Sequence, residues 1–160
     1  MEYSYKFRIY PNVAQEQQIL MTFGCCRFVW NHYLAQRIET YRETGKSPTR
    51  FAQDKDLTSL KKQEETTWLR EVDATALQSS LNDLDTAYQN FFRRVKKGEK
   101  PGHPKFKSKR THRQSYKSKC VGTNIKMLED AVQLPKLGKV KCRISKPVKG
   151  RILSATVSQT

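Results

Sequence analysis

The chain has 160 residues, 36% of them hydrophobic and 10% aromatic, with 31 Lys and Arg against 15 Asp and Glu for a formal net charge of +16. That length admits one ordinary domain or two small lobes sharing a core and excludes a large multidomain enzyme, while two Trp, seven Tyr and seven Phe exclude a merely disordered basic tail. A small domain usually carries a net charge of about 2 to 8 in magnitude, so an excess of this size points to a polyanionic partner.

The first segment alternates, with Tyr3, Tyr5, Phe7 and Ile9 on one face and Ser4, Lys6 and Arg8 on the other, which predicts a half-buried strand ended by Pro11. Asn12 followed three residues later by Gln15 reads as a capping box and opens a helix from Val13 to Phe23, with Gly24 as its stop. A second helix follows, carrying Trp30, Leu34, Ile38 and Tyr41 and ending at the Gly45–Pro48 break. Residues 51–68 predict a shorter polar helix around Leu57 and Leu60. Asp73 then caps the best helical stripe in the chain, Leu77, Leu81, Leu84, Tyr88, Phe91 and Val95. Residues 13–97 should therefore form a bundle of about four helices.

Beyond a loop at residues 96–109 the period changes to two. Short strands are predicted at 114–118, 123–128, 131–134, 138–144 and 151–158, separated by turn residues such as Gly122, Pro135 and Gly150. They suggest an antiparallel meander or small barrel. The strand at residues 3–9 has no neighbour in sequence, and a lone strand is unstable, so it must pair with this distant sheet. The expectation is an α+β fold in which a discontinuous antiparallel β-barrel is interrupted by a helical bundle. Residues 1–10 supply its first strand, 11–98 the helical lobe and 99–160 the rest of the barrel. The chain stops inside a strand pattern at Val157–Thr160, as a fragment of something longer would.

Charge is placed unevenly. Residues 1–92 hold 11 basic and 12 acidic side chains, residues 93–119 hold 12 and one, and residues 120–160 hold 8 and 2. Pro101, Gly102 and Pro104 break the basic stretch, which has no amphipathic stripe for a membrane surface; no apolar run nears 18 residues and no signal pattern follows Met1. An intracellular, membrane-free protein is expected. Cys25, Cys26, Cys120 and Cys142 form no C-x-x-C pair and read as buried free thiols of a reducing compartment.

Around Phe106 stand Lys105, Lys107, Lys109 and Arg110, in a segment that two prolines hold extended. Such a segment can follow a phosphate backbone while its aromatic stacks on a base or anchors the loop. Arg113, Tyr116, Lys117 and Lys119 continue this surface onto the next strand. Arg93, Arg94, Lys96 and Lys97 end the long helix, where cations either offset its dipole, by roughly 0.3 to 1 kcal/mol each, or meet phosphate. At its start Thr75, Gln78 and Ser79 read as exposed polar positions near N–H groups that could receive phosphate, with Gln78 able to pair with adenine. Catalytic residues are not expected: Asp83 and Asp85 are two apart on a helix and share no face, and His32, His103 and His112 are scattered.

Arg8-Ile9-Tyr10-Pro11-Asn12, Phe23-Gly24-Cys25-Cys26-Arg27-Phe28-Val29-Trp30-Asn31, Ala87-Tyr88-Gln89-Asn90-Phe91-Phe92, Gly102-His103-Pro104-Lys105-Phe106-Lys107, Gln114-Ser115-Tyr116 and Leu134-Pro135-Lys136-Leu137-Gly138 resemble, in this order, the N-terminal part of the TnpB (OrfB) transposon-encoded family. The resemblance covers nearly the whole chain. It implies a wedge β-barrel, OB-like, split by a recognition lobe, in an RNA-guided DNA endonuclease related to the type V CRISPR effectors. The partners so implied are a guide RNA and double-stranded target DNA, bound by a monomer in the prokaryotic cytoplasm at the nucleoid.

Binding residues implied are Lys105, Phe106, Lys107 and Tyr116, with Gln78 and the Val121–Asn124 turn (Gly122, Thr123 and Asn124) as candidates for a target-adjacent DNA motif. No cofactor is expected in this chain. The family's metal-dependent RuvC-like nuclease domain and zinc ribbon would lie beyond it. Part of this segment is also described as a helix-turn-helix in the family, a geometry that wants a turn of three or four residues where only the Gly24 junction is available. The alternative reading is a stand-alone sequence-specific duplex binder, a transposase accessory or regulator. A third is a purely structural or interaction module.

Overall fold

The computed structural model describes residues 1–110 and 113–159. In chain order it comprises β1 (Arg8–Tyr10), α1 (Val13–Thr44), α2 (Arg50–Leu60), a 3-10 segment (Glu64–Glu71), α3 (Ala74–Lys97), β2 (Ser115–Lys119), β3 (Lys126–Met127), β4 (Ala131–Leu134), β5 (Gly138–Arg143) and β6 (Ser154–Ser158).

The capping box forms as the spacing predicts. Asn12 Oδ1 accepts from the Gln15 backbone N at 2.8 Å and Gln15 Oε1 accepts from the Asn12 N at 3.0 Å, so two of the helix's orphan donors are satisfied reciprocally. Gly24 does not end this helix. α1 runs unbroken for 32 residues to Gly45, whose left-handed φ of 73° closes it. A mid-helix glycine costs about 1 kcal/mol relative to alanine. That cost is outweighed because the buried stripe continues across it, through Ile19, Phe23, Cys26, Trp30, Tyr33 and Arg37 at spacings of four, three, four, three and four. The seam belongs to Arg37, and Tyr41 is exposed.

α1 packs along α3, and α2 also packs against α3. Val29, Leu34, Leu69, Leu77, Leu81 and Leu84 have no accessible surface and form the centre of the core. One charged group is carried inside. Arg37 donates from Nε to Gln53 Oε1 at 3.0 Å and from Nη2 to Asp85 Oδ1 at 2.9 Å, and its guanidinium lies 4.7 Å from the Tyr88 ring centroid. The bundle thus has four helical elements among the described residues, divided differently from the periodicity: one long helix replaces two, and the fourth element is a 3-10 segment.

β1 finds its partner at the far end of the chain. It pairs antiparallel with β5, setting Arg8 opposite Arg143, Ile9 opposite Cys142 and Tyr10 opposite Lys141. The helical segment is therefore inserted into a sheet, as the lone-strand argument requires. The strands do not close into a barrel, however. They form a four-stranded antiparallel sheet, β1-β5-β4-β3, and a separate two-stranded one, β2-β6, whose members bracket the meander in sequence. β2 leaves the larger sheet because it packs on α3 and α1, with Tyr116 buried edge-on against Phe23 at 5.7 Å between centroids.

A candidate nucleic-acid interface

The basic segment after α3 takes a fixed path across the helices. Gly98 closes α3 in the left-handed region. His103 then sits edge-on to the rings of Tyr88 and Phe91, at 5.4 and 5.1 Å, and Pro104 is buried beside it. α1 fastens the next residues by their backbone. Trp30 Nε1 donates to the Lys105 carbonyl at 2.8 Å, Asn31 Nδ2 to the Lys107 carbonyl at 2.9 Å, and Asn31 Oδ1 accepts from the Lys107 N–H at 2.8 Å. Because these bonds use main-chain atoms, the side chains between them turn outward. Lys105, Lys109 and Arg110 are exposed, and Phe106 keeps 53% of its surface accessible.

Lys107 differs from its neighbours. Its ammonium lies 4.0 Å from the centroid of the Trp30 ring and is half-buried. Desolvation lowers its pKa, opposed by the negative potential of Asp83 and by Cys26. This lysine holds the loop down, whereas Lys105, Lys109 and Arg110 face solvent.

Tyr116 likewise belongs to the interior, its hydroxyl pushed well above the ordinary range by burial and then by Asp73 and Cys26. Lys117 is exposed. Arg113 is exposed and tied to the end of β6, donating from Nε to the Gln159 carbonyl at 3.2 Å and from Nη2 to Ser158 Oγ at 3.3 Å. Arg93, Lys96 and Lys97 are exposed around the half-exposed Phe92, and Arg94 is partly covered. His112 and Thr160 lie outside the described residues.

The start of α3 corrects one expectation. Asp73 caps this helix with its own carboxylate, accepting from the Thr75 N–H at 3.1 Å and the Thr75 hydroxyl at 2.8 Å, and its other contact is the Ser118 hydroxyl. A buried anion already occupies the place a phosphate would need. Of the three residues read as exposed, only Gln78 is. Thr75 is partly buried and accepts from the Lys119 N–H at 3.1 Å; Ser79 is 3% exposed. The Lys119 carbonyl in turn accepts from Asn124 Nδ2 at 3.2 Å, and Asn124 Oδ1 accepts from the Val121 N–H at 2.8 Å. This chain of bonds ties the Val121–Asn124 turn, with Gly122 at φ 64° and Thr123 exposed, to Thr75 in the first turn of α3, and Gln78 lies one turn further along that helix.

Between α1, α3, β2 and the basic loop lies a cleft of about 200 Å³. Cys26 lines it as a thiol pushed up to about 12 by burial, then by Cys25 and Asp73. Asp83 stands at its lip. Desolvation raises that carboxyl, against the pull of Lys107, Lys117 and Lys119. Among the described residues no group of three or more His, Cys, Asp or Glu side chains is placed to hold a metal ion. No helix of the described residues is long and apolar enough to cross a membrane.

Trp30 and Asn31 are the site residues that charge and periodicity miss. Their only signal is the motif Phe28-Val29-Trp30-Asn31, in which a polar amide follows a core tryptophan on a helix.

Fold and surface together define an α+β protein with a cluster of cations on one pinned loop and the strand beside it. Residues 1–46 match the family model for the helix-turn-helix domain of OrfB from IS605-type elements, an interval that here folds as β1 and one unbroken helix. The chain is 33% identical over 157 residues, 98% of its length, to the putative RNA-guided DNA endonuclease InsQ of Escherichia coli, and 34% identical over 112 residues, 70% of its length, to a putative RNA-guided DNA endonuclease of Streptomyces pristinaespiralis. The matched regions make up 37% and 27% of those relatives. It is also 32% identical over 94 residues to the virulence protein VsdF of Salmonella dublin, covering 54% of this chain and 79% of that protein. The chain belongs to the TnpB (OrfB) family of transposon-encoded proteins and corresponds to its N-terminal portion.

Proposed function

We propose that this chain is the nucleic-acid-binding portion of an RNA-guided DNA endonuclease. It acts as a monomer in the prokaryotic cytoplasm, at the nucleoid, with a guide RNA and double-stranded target DNA as partners. The metal-dependent cleavage chemistry belongs to other parts of such a protein. The observation that carries this reading is the pinned loop. Lys105, Lys109 and Arg110 are exposed along an extended path whose backbone is fastened to α1, with Phe106 outward among them. Cations on a preset path can track a phosphate backbone without first paying to order it, and an exposed ring beside them can stack on a base.

Lys117 and Arg113 extend the same face, and Arg93 and Arg94 add positive potential at the end of α3. Gln78 and the Gly122-Thr123-Asn124 turn are assigned to the duplex beside the target, where an amide can read a base edge in the major groove.

The test is the affinity of the 160-residue chain for RNA transcribed from the end of its own transposon, against shuffled RNA of equal length, across a range of salt. Tighter binding of the native RNA is expected, with a slope of roughly −0.7 to −0.9 per phosphate neutralised. Joint replacement of Lys105, Lys109 and Arg110 by Ala should reduce that slope by roughly 2 to 3. Equal affinity for both RNAs would overturn the guide-RNA reading, and tight duplex DNA binding without RNA would replace it with a stand-alone DNA binder.

A further inference from the structure

The cleft beside the basic loop has the size and lining of a receptor. Its volume of about 200 Å³ falls below the roughly 300 to 1,000 Å³ of sites that enclose a whole small-molecule ligand, and suits a single planar ring system. Its floor is formed by Ala76, Ser79 and Phe23, and its rim by Arg27, Arg113 and Lys117. Ser79 Oγ is buried and has no hydrogen-bond partner among the described residues. A buried hydroxyl without a partner costs about 1 to 3 kcal/mol, so a donor or acceptor entering the cleft would recover a real penalty.

Asp83 needs explaining too. A carboxylate in the middle of Lys107, Lys117 and Lys119 repels the phosphates those lysines attract. No hydrogen bond or ion pair joins it to another described residue within contact distance. An anion at that point is useful where the incoming group presents an amino group, as cytosine, adenine and guanine do; uracil offers only its N3–H, flanked by two carbonyl oxygens that a carboxylate repels.

We propose that this cleft receives one unstacked base of a bound single-stranded RNA, its amino edge donating to Asp83 and its remaining polar edge meeting Ser79, while Arg113 and Lys117 take the adjoining phosphates. The proposal rests on the reading of the basic face as an RNA-binding surface and adds a base-selective position to it. Single-stranded RNA is the appropriate class because its bases are free to splay out of the stack, as those of a duplex are not without an unpairing cost. Hydroxyls from Ser115 and Thr156 in the same cleft suit the ribose 2′-OH, which both donates and accepts.

The experiment compares binding of fluorescent oligonucleotides C12, U12 and deoxy-C12 to the 160-residue chain and to its D83N, S79V and K105A/K109A/R110A variants. S79V fills the cleft with two methyl groups without disturbing its charge. The chain should bind C12 about tenfold more tightly than U12, and C12 more tightly than deoxy-C12. D83N and S79V should each collapse the C12 preference, bringing C12 and U12 to the same affinity, with D83N tightening both because a charge that repels phosphate is gone. The triple variant should weaken C12 and U12 alike. Equal binding of C12 and U12 by the parent chain, or a preference that survives both cleft variants, would overturn the cleft proposal. Loss of salt-dependent binding to all three probes would instead overturn the RNA-surface reading beneath it. Equal C12 and deoxy-C12 binding with an intact base preference would overturn the assignment of RNA in favour of single-stranded DNA.

Discussion

The helical bundle and the basic loop lying on it use charge in opposite ways. In the bundle, Arg37 is buried and consumed: Asp85, Gln53 and Tyr88 occupy its guanidinium from three sides. In the loop, one lysine is consumed and the others are displayed. Lys107 lies on Trp30 while Lys105, Lys109 and Arg110 project into solvent. The difference teaches that a count of cations does not measure a binding surface. A cation close to an aromatic or a carboxylate in the fold is already partnered, and the available ones are those whose backbone, rather than side chain, makes the structural bonds.

The comparison breaks most visibly at Arg37. Its replacement by Ala leaves Asp85 and Gln53 without their partner, and breaking a buried pair costs about 3 to 5 kcal/mol; the partial exposure of Asp85 favours about 3. A loss of that size in the unfolding free energy, read from chemical denaturation, is expected. The triple replacement K105A/K109A/R110A should by contrast move stability by no more than about 0.5 kcal/mol per site while weakening nucleic-acid binding, since exposed cations carry no packing. A large stability loss there would mean that these side chains, too, hold the fold.

Asn31→Ala lies between the two extremes. It removes both amide bonds to the Lys107 backbone and should cost about 1 to 2 kcal/mol. Its distinguishing readout is affinity, because the loop's cations are no longer preset: binding should fall although every cation is retained. Unchanged affinity would show that the clamp is structural only.

Gly24→Ala should act in the opposite direction and stabilise by about 0.5 to 1 kcal/mol, because the added methyl meets only the end of Arg27 at 3.7 Å and α1 continues through this position. Destabilisation there would mean that the helix needs its glycine. The smallest effect is kinetic. Cys25 and Cys26, held at about 11 and 12 chiefly by burial, remain protonated at neutral pH, so alkylation of the native protein should begin at the partly exposed Cys120.

Much of the fold could be read from local pattern. The Asn12–Gln15 box, the Asp73 cap and the β4 segment from Ala131 to Leu134 lie where spacing places them, since each depends on residues a few positions apart. The join of β1 to β5 was also legible, from the principle that a lone strand needs a partner. Gly24 misled because propensity is weak against a buried stripe that runs on either side of it. Tyr116 and Lys107 misled because alternation and charge do not say which surface a face meets. Ser79, next to the exposed Gln78 and four residues from Thr75, faces the cleft instead of solvent for the same reason.

The basic stretch, its composition and its extended, proline-set course follow from the order of residues alone, because charge and the φ restriction of proline are properties of the residues themselves. Which of its side chains remain free was decided only in three dimensions. The fastening of the loop depends on Trp30 and Asn31, more than seventy positions earlier, and only the packing of α1 against α3 brings them beneath it. The separation of β2 and β6 from the larger sheet was decided in the same way, by the apolar surface that the helices offered to Tyr116.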